Sequence, residues 1–307
     1  MNERIGYIGL GVMGRAAAAN LLKAGYPLWI YARRAELMQP LTAAGAQPCA
    51  SPQELAQHCD IIFTNVSDTD DVVEVVLGEH GVIHGARPGS VVVDMSTISP
   101  SVSRHIAAEL AHADIAMLDA PVSGGSQGAI DGTLSIMVGG KAAVFERVLP
   151  VLRAMGKNIV HIGDHGAGQV TKACNQIVVT QTLAAIGEAF ILAAASGVDP
   201  AKVRAALLGG FAGSRILEVH GQRMLDHNYT PGFKAKLHQK DMRIVQDAAA
   251  ELGIALPSTA LASQYLNALV GTGLGELDSS AMVSLFEQLA RVDLTTATKS
   301  NDPTRPM

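Results

Sequence analysis

Cysteine is scarce in this 307-residue chain: Cys49, Cys59 and Cys174 are the only three. An odd number excludes a fully paired disulfide framework, and no CxxC spacing is present to chelate a metal. With no histidine near it in sequence, Cys174 reads as a buried structural thiol rather than a nucleophile. A basic excess is missing too. Lysine and arginine total 23 against 28 acids, a formal net charge of −5. That leaves no electrostatic footprint for nucleic acid or for an anionic membrane surface. An apolar signal region is absent from the N-terminus, so the expected compartment is the cytoplasm. The most apolar long run, Ile177 to Ala195, contains Gln181 and Glu188; it reads as a buried core helix, not a membrane span. No metal is assigned to His161, His165, His220, His227 or His238, and no internal repeat is visible.

Hydrophobic residues make up 48% of the chain, which suits a globular protein. The length suggests two domains, each able to bury a core. The first half alternates strand and helix signals. Ile5 to Gly9 is a short apolar strand that runs into Gly9-Leu10-Gly11-Val12-Met13-Gly14 and then an alanine-rich helix ending at Gly25. GxGxxG between a strand and a helix is the dinucleotide fingerprint. The glycines allow a tight turn and close approach to a pyrophosphate, and the helix N-terminus offers free N–H groups. The other reading is a glycine-rich turn without a ligand.

The end of the second strand, Pro27 to Tyr31, bears on the cofactor. An NAD site wants an acid there for the ribose hydroxyls, yet the chain continues Ala32-Arg33-Arg34. Two guanidiniums suit a 2′-phosphate. NADP(H) is therefore favoured, with NAD(H) possible; Arg33 would otherwise stack on adenine or remain a solvated charge. Helix-like Ala35 to Ala44 precedes a short strand at Ala46 to Pro48. Ser51-Pro52-Gln53-Glu54 has the form of a capping box. Asp60 to Thr64 and Ser90 to Asp94 are buried strands. Val66 and Ser67 follow the first of these and Thr97 the second, at carboxyl ends, where open α/β sheets bind ligands. Thr97 is placed to touch a nicotinamide ribose, or is an ordinary turn threonine.

After the strand Ile115 to Asp119 comes Ala120-Pro121-Val122-Ser123-Gly124-Gly125. A serine and two glycines expose a hydroxyl and consecutive N–H groups, a geometry that holds a carboxylate; taken alone, a glycine loop needed only for turning is the favoured reading. Strands Leu134 to Val138 and Asn158 to Ile162 close the first domain. In Gly166 to Gln176, Lys172 and Asn175 stand at i and i+3 and share a helix face. A cationic proton donor beside an amide suits acid–base chemistry; a surface lysine near a helix start is the alternative. From Gly168 onward strand signals vanish. Helices run to Ser196, from Asp199-Pro200, through Leu225, over Phe233 to Leu252, Ser258 to Val270 and Ser280 to Arg291. Lys240 and Asp241 read from residue type as an exposed pair, or else as a second polar site. Thr295 to Met307 reads as a disordered tail.

Together these stretches resemble the β-hydroxyacid dehydrogenase family, over nearly the whole chain. Four motifs carry the resemblance: Gly9 to Gly14, Asp119 to Gly125, Gly168 to Gln176, and Lys240-Asp241. Gly209 to Ser214, Pro231-Gly232-Phe233 and Leu277 to Ala281 point within it to reductases of small carboxylated aldehydes. The resemblance implies an α/β fold: a Rossmann-type dinucleotide-binding domain over residues 1–163, then an all-α domain over 164–294, with a long interdomain helix used in forming a homodimer or homotetramer. It implies Lys172 as the catalytic lysine and Asn175 as the amide that holds it and the substrate oxygen. Ser123, Gly124 and Gly125 would bind the substrate carboxylate. Val66, Thr97 and Lys240 would contact the cofactor, with Asp241 beside the last. A lysine's ordinary pKa, about 10.4, matches neutral pH poorly, so desolvation is expected to lower it. Relatives acting on 3-hydroxyisobutyrate, succinic semialdehyde or glyoxylate share these motifs. Imine reductases share the architecture but usually lack the lysine. A non-catalytic dinucleotide-binding module is the remaining alternative.

Overall fold

The computed structural model describes residues 3–297. The chain forms two compact units, divided between Ala173 and Cys174.

The first unit is built on nine strands: β1 Ile5–Ile8, β2 Leu28–Tyr31, β3 Gln47–Pro48, β4 Ile61–Thr64, β5 Val91–Asp94, β6 Ala116–Asp119, β7 Val122–Ser123, β8 Leu134–Gly140 and β9 Gly156–Gly163. Six run parallel in the order β3-β2-β1-β4-β5-β6. This is the strand order of a dinucleotide-binding α/β sheet. β8 then pairs antiparallel with β6 and β7, and parallel with β9. The central strands are apolar at nearly every position because both faces are covered. Ile61 and Phe63 enter one core cluster and Ile62 the other; Val91 and Val93 are divided from Val92 in the same way. All of these are at most 1% exposed, and each such side chain is worth about 1.5–3 kcal/mol of burial. The register aligns the strand ends. Ile8 pairs with Thr64, Thr64 with Asp94, and Asp94 with Asp119, so four carboxyl ends form one row.

Local sequence signals explain most boundaries. Ser51 Oγ accepts from Glu54 N at 3.0 Å, the expected cap, while the Glu54 carboxylate accepts from Ala50 N at 2.6 Å, one residue before the Ser51 N–H that a strict capping box would use. Such a cap contributes about 1 kcal/mol. The helix expected over Ala35 to Ala44 is broken into a 3₁₀ turn, Ala35–Leu37, and a short helix, Gln39–Ala43. Pro40 is the reason: lacking an N–H, it is tolerated in a first turn but not mid-helix. β7 is only two residues long and the helix Gly125–Asp131 is short with two glycines, and the sequence pattern carries no clear signal for either.

Among the described residues the second unit is helical, apart from one isolated bridge between Lys234 and Asp278. It holds most of helix Ala167–Ala195, then Pro200–Leu208, Arg215–Leu225, Ala235–Leu252, Pro257–Gly271, Val283–Ala290 and Leu294–Ala297. Length and composition alone would let Ala167–Ala195 cross a membrane. Its Leu183 and Phe190 instead lie at 1% and 0% exposure, packed with Leu217, Met224 and Val283. The tail expected to be disordered from Thr295 is corrected in part: the helix Leu294–Ala297 runs past that point. Residues 298–307 lie outside the described residues.

Asp278, fully buried, organises one end of this unit. Its Oδ2 accepts from Arg223 Nη1 at 2.9 Å, Gly232 N at 2.9 Å and Phe233 N at 3.2 Å. Its Oδ1 accepts from Ser280 N at 3.1 Å and Ser280 Oγ at 2.8 Å, with His220 Nδ1 at 3.3 Å. Burial pushes this carboxyl up, but the bonds from His220 and Ser280 outweigh burial and hold it well below the usual carboxylate range. The stabilisation this supplies is full above the unfolded carboxylate value of about 3.9 and is lost as pH falls below it. Asp278→Ala is expected to lower stability to urea at neutral pH by about 3–5 kcal/mol. Its stability should also change less than the parent's on acidification, which unfolding curves across the acid range would measure.

Candidate active site

The nucleotide turn is shaped by three glycines with different duties. Gly9 adopts φ +96°, and a Cβ there would strike Asn65 O. At Gly14 a Cβ would strike Gly9 O, so the helix Val12–Lys23 could not pack so close to β1. Gly11, the N-cap of that helix, has nothing within 4 Å of its would-be Cβ. Turn, open approach and close packing are the three duties a pyrophosphate site asks of this motif, so these residues fit a dinucleotide. Leu10 is buried and Val12 is 62% exposed; Met13 packs against the core. Past β2, Arg33 is exposed and its Nη1 lies 3.0 Å from Asp71 Oδ1. Arg34 is exposed as well.

The row of carboxyl ends is cross-linked. Thr64 Oγ1 donates to Asp94 Oδ1 at 2.8 Å, and Ser96 N donates to the same oxygen at 3.1 Å. Ser96 Oγ accepts from Val66 N at 3.0 Å. Asp94 Oδ2 finds no partner among the described residues. Burial pushes the Asp94 carboxyl up to about 6, against the bonds from Ser96 and Thr64.

Asp119, at the end of β6, receives the long helix. Its Oδ1 accepts from Gly166 N at 2.8 Å and its Oδ2 from Gln169 N at 2.9 Å. A carboxylate on the first free N–H groups of a helix is favoured by hydrogen bonding and by the dipole together. The fit is tight. A Cβ on Gly168 would collide with Met137 O and Asp119 O, and one on Gly139 would lie 2.5 Å from Asp119 Oδ1. Burial pushes the Asp119 carboxyl up, and the two N–H bonds oppose this. Gln169, at 1% exposure, turns its amide onto the loop after β5: Oε1 accepts from Ile98 N at 3.1 Å, and Nε2 donates to Ser96 O at 2.8 Å. Those bonds bracket Thr97. Lys172 follows one turn later at 8% exposure. Nothing in the sequence singles out Gln169 within its motif, because a glutamine reveals its partners only in three dimensions.

The Ser123 loop sits at the edge of the sheet, where Ser123 pairs with Ser135. Gly124 takes φ +134° and Gly125 φ +62°, after which the helix Gly125–Asp131 begins.

In the second unit, Asn175 Nδ2 donates to Gln176 Oε1 at 2.7 Å. Gln176 Nε2 donates to Asp241 Oδ2 at 2.7 Å, and Lys240 Nζ lies 2.8 Å from Asp241 Oδ1. The Lys240 and Asp241 side chains are only 10% and 2% exposed. The exposed-pair reading is thus corrected: Gln176 draws Asp241 inside, and Lys240 comes with it. Cys174 is corrected in the other direction, since it is exposed; the lack of a histidine nearby in sequence argued against a nucleophile but carries no information about burial. His161 and His165 are four apart, yet each gives Nε2 to a carbonyl, Gly140 O at 2.7 Å and Met117 O at 3.1 Å. The fold also gathers His227, Glu287 and Asp293. Glu287 Oε1 accepts from Leu294 N at 2.9 Å and Asp293 Oδ1 from Thr295 N at 2.8 Å, so these carboxylates cap the last helix.

Residues 4–163 match the family model for the NAD binding domain of 6-phosphogluconate dehydrogenase. Residues 166–286 match the model described as NAD-binding of NADP-dependent 3-hydroxyisobutyrate dehydrogenase. The chain is 44% identical to 2-hydroxy-3-oxopropionate reductase of Escherichia coli (strain K12), covering 94% of this chain and 98% of the relative. It is 37% identical to 2-(hydroxymethyl)glutarate dehydrogenase of Eubacterium barkeri, covering 95% and 97%. Among solved structures, 3-hydroxyisobutyrate dehydrogenase of Mycobacterium tuberculosis with L-serine superposes with a TM-score of 0.86 at 31% identity, covering 93% and 99%.

The glycine geometry separates binding from folding. Gly11→Ala is expected to unfold within about 1 kcal/mol of the parent, its side chain meeting open space. Dinucleotide affinity should fall at least about tenfold, because the methyl group stands where a pyrophosphate approaches. Gly14→Ala should instead lose stability. Chemical unfolding and fluorescence titration with NADPH would measure the two effects.

Proposed function

We propose that this chain, which belongs to the 3-hydroxyisobutyrate dehydrogenase-like β-hydroxyacid dehydrogenases, reduces tartronate semialdehyde (2-hydroxy-3-oxopropionate) to glycerate with NADPH. That it is an NAD(P)-dependent oxidoreductase of CH–OH donors follows from the family. The finer reading rests on one observation above all. Lys172 is buried, one turn into a helix whose start is held by Asp119 at the carboxyl ends of a nucleotide-binding sheet.

The chemistry divides cleanly. Bound NADPH supplies a hydride to the aldehyde carbon. The chain must then supply a proton to the aldehyde oxygen, and Lys172 is the donor; in the reverse oxidation it takes the proton from the alcohol. Asn175, three residues on, holds the reacting oxygen or the lysine. The Ser123 hydroxyl and the Gly124 and Gly125 N–H groups hold the substrate carboxylate. Val66, Ser67 and Thr97 would hold the cofactor, Thr97 at the nicotinamide ribose, and the family resemblance assigns Lys240 to the cofactor as well. Arg33 and Arg34 receive the 2′-phosphate, which favours NADPH over NADH. Arg33 then exchanges Asp71 for a phosphate, a doubly charged partner with better geometry for a guanidinium.

The relatives' names support the substrate class. 2-Hydroxy-3-oxopropionate, 2-(hydroxymethyl)glutarate and 3-hydroxyisobutyrate share one skeleton. Each has a carboxylate, a substituted second carbon, and a third carbon cycling between primary alcohol and aldehyde. Only the substituent differs: hydroxyl, carboxyethyl or methyl. A carboxylate clamp, a hydride donor and one proton donor suffice for the shared part. The hydroxyl is assigned because the relative that acts on it is 44% identical over nearly the full length. The working form is a cytoplasmic homodimer or homotetramer, joined through the long helix.

Lys172→Ala should lower kcat by about 10²–10⁴-fold, the usual worth of a general acid, while NADPH still binds. Near-parental turnover would refute the assignment. Initial rates on tartronate semialdehyde should exceed those on succinic semialdehyde, glyoxylate and 3-hydroxyisobutyrate, and NADPH should be preferred to NADH. Faster oxidation of 3-hydroxyisobutyrate, or tighter NADH binding, would overturn the corresponding part.

A further inference from the structure

Three polar side chains in the second unit form a line with only one self-consistent direction. It begins at Asp241, which is 2% exposed. Its Oδ1 lies 2.8 Å from the Lys240 ammonium. A carboxylate paired with a cation has acceptors only. Its other oxygen, Oδ2, lies 2.7 Å from the Gln176 amide, which must therefore present its NH₂. Once Nε2 is committed to Asp241, the other end of the same amide, Oε1, is an acceptor. That oxygen lies 2.7 Å from the Asn175 amide, so Asn175 must also present its NH₂ there. Each orientation forces the next, and the start of the line is a charge whose polarity is not in question.

We propose that Gln176 is a positioning residue that transmits the polarity of Asp241 to Asn175, so that Asn175 offers its carbonyl oxygen to the reaction and works as a hydrogen-bond acceptor. The proposal rests on the functional reading above, in which Asn175 acts beside Lys172, and it gives that role a direction. An acceptor steadies a group that carries a proton: the lysine ammonium before donation, or the hydroxyl of the alcohol. A donor would instead have stabilised an alkoxide, a task the general acid already performs by protonation. The buried Gln176 amide, bonded at both ends, holds one orientation because reversing it sets two donors or two acceptors face to face, and the half-buried Asn175 takes its direction from it. Gln176 is 3% exposed, which removes water as a substitute partner.

The titratable groups near Gln176 are Lys172, four residues earlier on its own helix, and Asp241, Lys240 and His238 on the helix Ala235–Leu252, His238 being bonded to Thr180 at 2.7 Å and to Ser279 at 2.9 Å. Two substitutions of similar volume separate polarity from packing. Gln176→Met removes both ends of the amide and frees Asn175 to turn; kcat/KM for the aldehyde should fall at least about tenfold, a loss of about 1.4 kcal/mol. Gln176→Glu keeps the acceptor toward Asn175 and, when protonated, the donor toward Asp241. Its kcat/KM should lie within about threefold of the parent at the acidic end of the pH range and decline as pH rises, when two adjacent carboxylates can no longer share a proton. The parent declines only where Lys172 gives up its proton, so the variant is read as the ratio of its kcat/KM to the parent's at each pH, and that ratio should fall as pH rises. A residue that only fills space would rank methionine at or above glutamate at every pH, and that ranking would overturn the proposal. The glutamate variant also covers the case in which the methionine variant does not fold. Lys172→Ala and Asn175→Ala are run alongside. If both keep parental turnover, the functional reading falls and this inference with it. If both lose turnover while Gln176→Met stays within twofold of the parent, this inference alone falls.

Discussion

The first unit depends on one buried carboxylate. Asp119 ends a parallel strand and receives the first N–H groups of a 29-residue helix. An unpaired charge there would be costly, and so would four unsatisfied N–H groups at a buried helix start. The carboxylate takes the Gln169 N–H within the helix and the Gly166 N–H just before it, and Asp164 O takes that of Ala167, so the charge and much of the helix start are satisfied together. The arrangement demands that strand and helix come closer than ordinary side chains permit, which is why Gly139 and Gly168 lie at the meeting point. With the helix origin set in this way, the position of Lys172 follows from helical geometry, since it is five residues beyond Ala167.

A second consequence runs sideways along the sheet. Gln169 is held through its backbone by Asp119 and holds the loop after β5 through its side chain. That loop reaches back through Ser96 to Val66 and through Asp94 to Thr64. The carboxyl ends of three strands and the start of the helix thus share one hydrogen-bond system. Asp94 is its costly member, a fully buried carboxyl with one oxygen unmatched among the described residues. Its raised pKa makes it a poor place for a full charge. Its contribution to stability is greatest below the unfolded carboxylate value of about 3.9, falls as pH rises toward about 6, and is fully lost above that.

Much of this was legible in the sequence, and the reason differs by element. The strands announced themselves as short apolar runs because both faces are covered. The glycines of the nucleotide turn announced themselves by spacing, since their duties are local. Caps at Ser51, Ser99 and Asp199 were equally local. What stayed hidden depends on distant partners. Nothing in residue type distinguishes the buried Asp241 from a surface acid, or reveals that Gln169 and Gln176 meet residues more than sixty positions away. Cys174 failed for a different reason: the absence of a sequence-neighbouring histidine bears on reactivity, not on which side of a helix faces solvent, and that position is exposed.

The segments that pointed toward one branch of the family illustrate the limit of motif reading. Pro231-Gly232-Phe233 and Leu277 to Ala281 look like two independent hints about the substrate. In the fold they are two halves of one knot, since the Asp278 carboxylate binds the N–H groups of both Gly232 and Phe233. A knot of that kind is kept for stability whatever substituent the substrate carries. Agreement between the two segments therefore counts once, and for architecture rather than for specificity. Discrimination among substrates that share a carboxylate and a terminal alcohol has to come from side chains facing the second carbon. A hydroxyl there would be recognised only by a polar group left unpaired when a methyl takes its place. Substrate rates, rather than additional motif matches, are thus the observation that bears on it.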